Sequence, residues 1–193
     1  LRPNRRQLPM KSLPIARFAA VCKQYGPGRL PHADRRDIGA GYAMATTAAV
    51  ATVTFVFVMQ LPGLPEVLPT GDDAVYVGSI ALPIVVLSAF VSGVIAWRSA
   101  TPELSRFGPV AGVTATGLTY LVGTLVVGAV LVILSVIQDP SHLRTLSTVG
   151  ELVVGMGYFI PTVGVVAVLF TCWLTLPLGA LGGSIYERTR TLS

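Results

Sequence analysis

Apolar residues fill long stretches of this chain, and charged side chains interrupt them at only a few places. Residues 38–60, 74–97, 107–138 and 152–186 contain no Asp, Glu, Lys, Arg or His. A bilayer core about 30 Å thick is crossed by roughly 20 residues of apolar helix. Each of the first three stretches therefore predicts one span, at about 38–61, 74–97 and 108–137. The fourth is too long for one span and too short for two joined by a loop. Pro161 divides it, which predicts a span at about 162–185 preceded by an interfacial segment over 141–160. A membrane β-barrel would alternate polar and apolar positions along strands of about ten residues, and residues 122–137 show no such alternation. The fold class predicted is all-α: a polytopic integral membrane protein with a four-helix transmembrane bundle over residues 38–186.

Composition leads to the same class. Of 193 residues, 52% are hydrophobic and 12% are charged, against about 25% charged in soluble domains. Mean hydropathy is +0.70. These values exclude an ordinary cytosolic enzyme, a disordered chain and a disulfide scaffold.

The distribution of charge predicts orientation. Of 14 Lys and Arg residues, all but Arg144 lie before the first span, between the second and third, or after the fourth. Glu66, Asp72, Asp73, Asp139 and Glu151 share the opposite side with Arg144. Cationic loops stay inside, so both termini are expected in the cytoplasm. The net charge of +5 is then a topology signal, and no nucleic-acid partner is expected. The expected location is a prokaryotic plasma membrane; the Arg-rich, acid-poor beginning leaves an organellar inner membrane as the alternative.

Residues 1–37 form a basic tail, too long and too polar for the charged start of a signal peptide. Within it, Ser12 can cap a helix, Pro14 suits its first turn and Gly26-Pro27 ends it. Ile15, Phe18, Ala19, Cys22 and Tyr25 then share one face of a helix over about 12–25. This predicts an N-terminal amphipathic interfacial helix, with Lys11, Arg17, Phe18, Lys23 and Tyr25 at the surface of an anionic inner leaflet. The same apolar face could instead pack under the bundle or against a partner.

Helices in lipid associate through close backbone approach at small residues. Every predicted span carries such a ridge at a spacing of four. The first has Gly39, Ala43, Thr47 and Ala51; the second has Ser88, Ser92 and Ala96, with Ala89 and Gly93 beside them. The third has Gly112, Thr116, Thr124 and Gly128, interrupted by Tyr120. The fourth has Thr171, Thr175, Gly179 and Gly183. Gly39, Ala43, Thr47, Ser88, Ser92, Gly93, Gly112, Thr116, Gly128, Thr175, Gly179 and Gly183 are the candidate helix-packing residues. Their partners would be other transmembrane subunits or further copies of this chain. Pro83 and Pro177 lie within spans and are expected to shape the bundle by kinking it. Residues 61–73, with three prolines, read as a short stiff connection that ends at a helix start marked by Asp72 and Asp73.

Chemistry is defined mainly by what the spans lack. Proton relays, voltage sensors and carboxylate ion sites place ionisable groups within the membrane, and these spans have none. His32 and His142 are expected on opposite sides, so they cannot ligate one haem together. Cys22 and Cys172 are likewise apart, so no disulfide or two-cysteine metal site is expected. Thr148-Val149-Gly150 begins like a potassium filter, but Glu151 follows it. No catalytic, cofactor or metal residues are assigned. The function expected is that of a non-enzymatic accessory or structural subunit of a larger plasma-membrane complex, acting by helix packing. The alternative is a homo-oligomeric channel or transporter for a small solute or ion. Its pore would be lined by Thr46, Thr47, Thr52, Thr54, Thr114, Thr116, Thr119 and Thr124.

Overall fold

A computed structural model describes residues 30–63, 71–99, 107–138 and 146–191. The predicted amphipathic helix over 12–25, with Lys11, Arg17, Phe18, Lys23 and Tyr25, lies outside the described residues. All regular structure among the described residues is helical. There are four helices: α1 (Arg36–Val58), α2 (Asp72–Ser99), α3 (Phe107–Gln138) and α4 (Leu146–Thr191). Each is long and apolar enough to cross a membrane.

Their ends reflect local chemistry. Residues 30–35 turn into α1, with Ala33 N donating to Leu30 O and Arg35 N to His32 O; His32 adopts φ 60° there. At the other end, Gln60 Nε2 donates to Gly71 O at 2.8 Å and ties together the two ends of the connection between α1 and α2. Gly71 has φ 60°, and α2 starts on Asp72 and Asp73, which place two carboxylates beside the unpaired amides of its first turn.

The helices alternate in direction and form a ring. Gly41 at the start of α1 meets Phe90 and Val94 near the end of α2, while Gly78 near the start of α2 meets Val56. Gly108 and Gly112 in α3 meet Gly183 and Gly179 in α4 in the same antiparallel sense. Helices α2 and α3 also touch, and α4 returns to α1; α1 and α3 barely meet across the diagonal. The shared core lies at one end, where α1 and α3 begin and α2 and α4 finish. There Ala40, Met44, Ala96, Trp97, Phe107, Ala111 and Ala115 form one buried cluster, with Tyr186 against it. Farther along, most buried positions belong to one hairpin or the other: Ala51, Met59, Ala74 and Gly78 between α1 and α2, Gly128 between α3 and α4, with Ser88 reaching from α2 toward Gly123 in α3. The molecule is thus two helical hairpins joined firmly at the end that carries Arg36, Arg98 and Arg188.

The fourth helix runs on through both of its prolines. It is continuous from Leu146 to Thr191, 46 residues, with Pro161 and Pro177 inside it, so the segment before Pro161 and the span after it belong to one helix. A proline removes one N–H···O bond and crowds the carbonyl four residues earlier. At Pro161 that earlier residue is Gly157, which has no side chain and open space around it. Ending the helix would leave several backbone groups unpaired on an apolar surface, a larger cost than one lost bond. At 1.5 Å per residue, α4 is about 69 Å long, more than twice the thickness of a bilayer core.

Candidate helix-packing site

The tightest contact between helices is the seam of α3 and α4. A Cβ added at Gly112 would collide with the carbonyl oxygen of Gly179 and lie 3.3 Å from Gly183 Cα. One added at Gly183 would collide with Gly108 O and lie 3.0 Å from Gly112 Cα. Backbone therefore touches backbone over two turns, a geometry open to glycine and to no larger residue. Thr116, 7% exposed, donates to Gly112 O at 2.9 Å and rests against Gly179. The seam continues outward with Gly164 against Thr124 and Gly128 against Ile160.

Between these glycine contacts sits a polar clasp. Tyr120 Oη lies 2.5 Å from both Thr171 Oγ1 and Thr175 Oγ1. Thr171 Oγ1 is also 2.7 Å from Ala167 O, and Thr175 Oγ1 is 3.0 Å from Thr171 O. Three hydroxyl protons serve these four contacts, so one contact at a time lacks a proton and the protons can redistribute. The phenol joins α3 to α4 at a depth where the sequence offers no charged group.

Other expected packing residues divide between several contacts. Gly39 faces Tyr186, whose Oη would be 2.7 Å from an added Cβ. Thr47 packs on Gly182 in α4 and donates to Ala43 O at 2.8 Å; Ala43 itself is half-buried. Gly93 faces α1, with an added Cβ 3.0 Å from Gly41 Cα and from Met44. Ser88 turns to α3 near Gly123, and the buried Ser88 and Ser92 hydroxyls have no hydrogen-bond partner among the described residues. Thr175 and Gly179 belong to the clasp and the seam. The ridges on α1 and α2 thus serve more than one neighbour, and only those on α3 and α4 form one continuous contact.

The threonines considered for a pore are dispersed. Thr46, Thr47, Thr52, Thr116, Thr119 and Thr124 each donate to the carbonyl four residues earlier in their own helix. Thr46 and Thr114 are exposed, whereas Thr116 is buried in the seam. A hydroxyl whose proton is given to its own helix has no proton left to offer a solute.

Sequence reasoning missed three groups. Gly41, Gly78, Gly108 and Gly182 also make close contacts between helices; Gly108 extends the α3 ridge by one turn, and the other three fall beside a ridge. Tyr120 was read as an interruption, although its place four residues after Thr116 and before Thr124 puts it on the same face. The third group closes the basic end of the bundle. Trp97 is 2% exposed, with ring centroids 6.0 Å from Phe107 and 5.8 Å from Tyr186, both edge-on. Trp97 Nε1 donates to Glu187 Oε2 at 3.5 Å, and Tyr186 Oη donates to Arg36 O at 2.8 Å. All four helices contribute to that cluster. Comparison of the chain with protein-family models, with curated proteins and with solved structures found no match to any of them.

Proposed function

We propose that this chain is a multi-pass plasma-membrane protein with both termini in the cytoplasm, acting as a non-enzymatic accessory or structural subunit through helix packing. The reading rests chiefly on how α4 uses its small residues. Gly179 and Gly183 are filled by α3, whereas Gly150, Gly155 and Gly157 on the same helix have nothing within 4 Å. Close-approach positions left open on an apolar helix suit a partner helix that packs as α3 does. Beside them Val153, Val154 and Tyr158 are 59–77% exposed. Counting about 20 residues of span back from the basic end reaches roughly Val165. The stretch from Val153 to Phe159 therefore falls near or beyond the far headgroup level. Apolar surface there faces water unless something covers it, at about 25 cal/mol per Å². A partner at that place would remove the cost and bring its own helix against the open glycines.

The test is a photo-crosslinking residue placed at Tyr158 in the full chain within its native membrane, followed by purification in mild detergent. A polypeptide adduct at Tyr158, lost when Gly157 is changed to Leu, is expected. A monomer that carries lipid adducts alone would overturn the reading.

A further inference from the structure

The basic end of the bundle holds a guanidinium with nothing to bind. Arg36 opens α1, and its Cζ lies 4.6 Å from the centroid of the Phe107 ring. Stacking of this kind engages the flat face of the guanidinium and leaves its in-plane N–H groups unused. Arg36 Nε and Nη2 are shielded from solvent and have no hydrogen-bond partner among the described residues.

Three acceptor groups at this end receive other donors. Asp37 pairs with Arg35 at 3.3 Å. Glu187 Oε2 accepts from Trp97 Nε1, and the Arg36 carbonyl accepts from Tyr186 Oη. Nε and Nη2 together form one edge of the fork that matches two oxygens of a phosphate. Enclosing that edge without an anion is costly, so a structure that does so has a place for one. The surroundings favour a lipid phosphate. Tyr186, half-buried, lies at the same level, as aromatic residues do at the headgroup boundary. Arg98 is exposed at the end of α2, and basic sites between helix ends at the inner face recruit anionic headgroups.

We propose that Arg36, held over Phe107, is the centre of a site for the phosphate of an anionic phospholipid. The side chain is half-buried, and the site requires the Nε–Nη2 edge to turn toward the rim as the phosphate binds. The inference depends on the basic end lying at headgroup level and not on any partner subunit.

The experiment titrates the purified full chain in neutral detergent with phosphatidylglycerol and follows protection from thermal unfolding. Phosphatidylcholine and inorganic phosphate are run at matched concentrations. Phosphatidylglycerol alone is expected to protect. Arg36→Gln should raise the concentration for half-maximal protection by roughly tenfold, the scale of one charge-assisted hydrogen bond. Arg98→Gln removes a neighbouring charge from an exposed position and should raise the midpoint by clearly less than Arg36→Gln does. Arg36→Lys keeps the charge and loses the fork, and should retain less bound phosphatidylglycerol by native mass spectrometry, which supplies a readout if Arg36→Gln does not fold. Equal protection by phosphatidylcholine, protection by inorganic phosphate alone, an unmoved midpoint in Arg36→Gln or full retention in Arg36→Lys would each overturn the site.

Discussion

Two glycines five positions apart on α3 should respond in opposite directions to the same substitution. At Gly112 an added methyl has no space: Gly179 O occupies its place, with Gly183 Cα at 3.3 Å. Both obstacles are backbone, so no rotamer change relieves them, and α3 must move away from α4 along the seam. Overpacking of this kind costs about 1–3 kcal/mol. Alanine recovers up to about 1 kcal/mol of helix propensity relative to glycine. The net expectation for Gly112→Ala is a loss of about 1–2 kcal/mol. Gly117 has nothing within 4 Å, so Gly117→Ala keeps only the propensity gain and should be neutral or stabilising by up to about 1 kcal/mol. Reversible unfolding in mixed micelles, titrated with a denaturing detergent and followed by helical circular dichroism, measures both. The difference between the two variants is the critical quantity, because it cancels effects common to any glycine-to-alanine change. A Gly112→Ala variant as stable as Gly117→Ala would refute the backbone seam.

Removing the phenol hydroxyl with Tyr120→Phe should cost about 0.6–1.7 kcal/mol in the same assay, the range for hydrogen bonds between membrane helices. Thr171→Val in the Tyr120→Phe background should then cost less than it does alone, and fully additive effects would dissolve the clasp. Trp97→Ala removes the largest side chain buried at the junction of all four helices and should cost about 3–5 kcal/mol; a loss under about 1 kcal/mol would place the joint of the two hairpins elsewhere. Orientation can be read by cysteine labelling in a variant lacking Cys22 and Cys172. A cysteine at Gln138 should react with an impermeant maleimide in intact cells, and one at Ser99 only after permeabilisation. The reverse pattern would contradict the positive-inside assignment.

What could be read before the structure follows from which physical terms are local. Span positions depend on runs of transfer free energy along the chain, so 74–97 and 108–137 were legible and fall within α2 and α3. The start of α2 was marked by Asp72 and Asp73 for an equally local reason. Pro161 sits inside a continuous helix; beside Gly157, with apolar residues around it, one lost bond is a smaller cost than the groups that ending the helix would free.

The packing surface was legible by residue type and not by partner. Ser88 and Gly93 are near neighbours on one helix, yet one turns to α3 and the other to α1, and nothing in a spacing of four distinguishes those directions. Gly155 and Gly179 are alike in sequence and opposite in the fold, one open and one filled. Tyr120 shows why a ridge of small residues is the wrong template for a whole seam. Once Gly112 and Gly179 bring the backbones together, the helices are near enough for a phenol to reach two threonine hydroxyls across the gap, so the large residue depends on the small ones. Arg36 follows the same logic at the basic end. A charge at a helix start reads as solvated, but Phe107, brought in by α3, covers it. Its lack of a partner is a property of the assembled fold, which no window along the chain could contain.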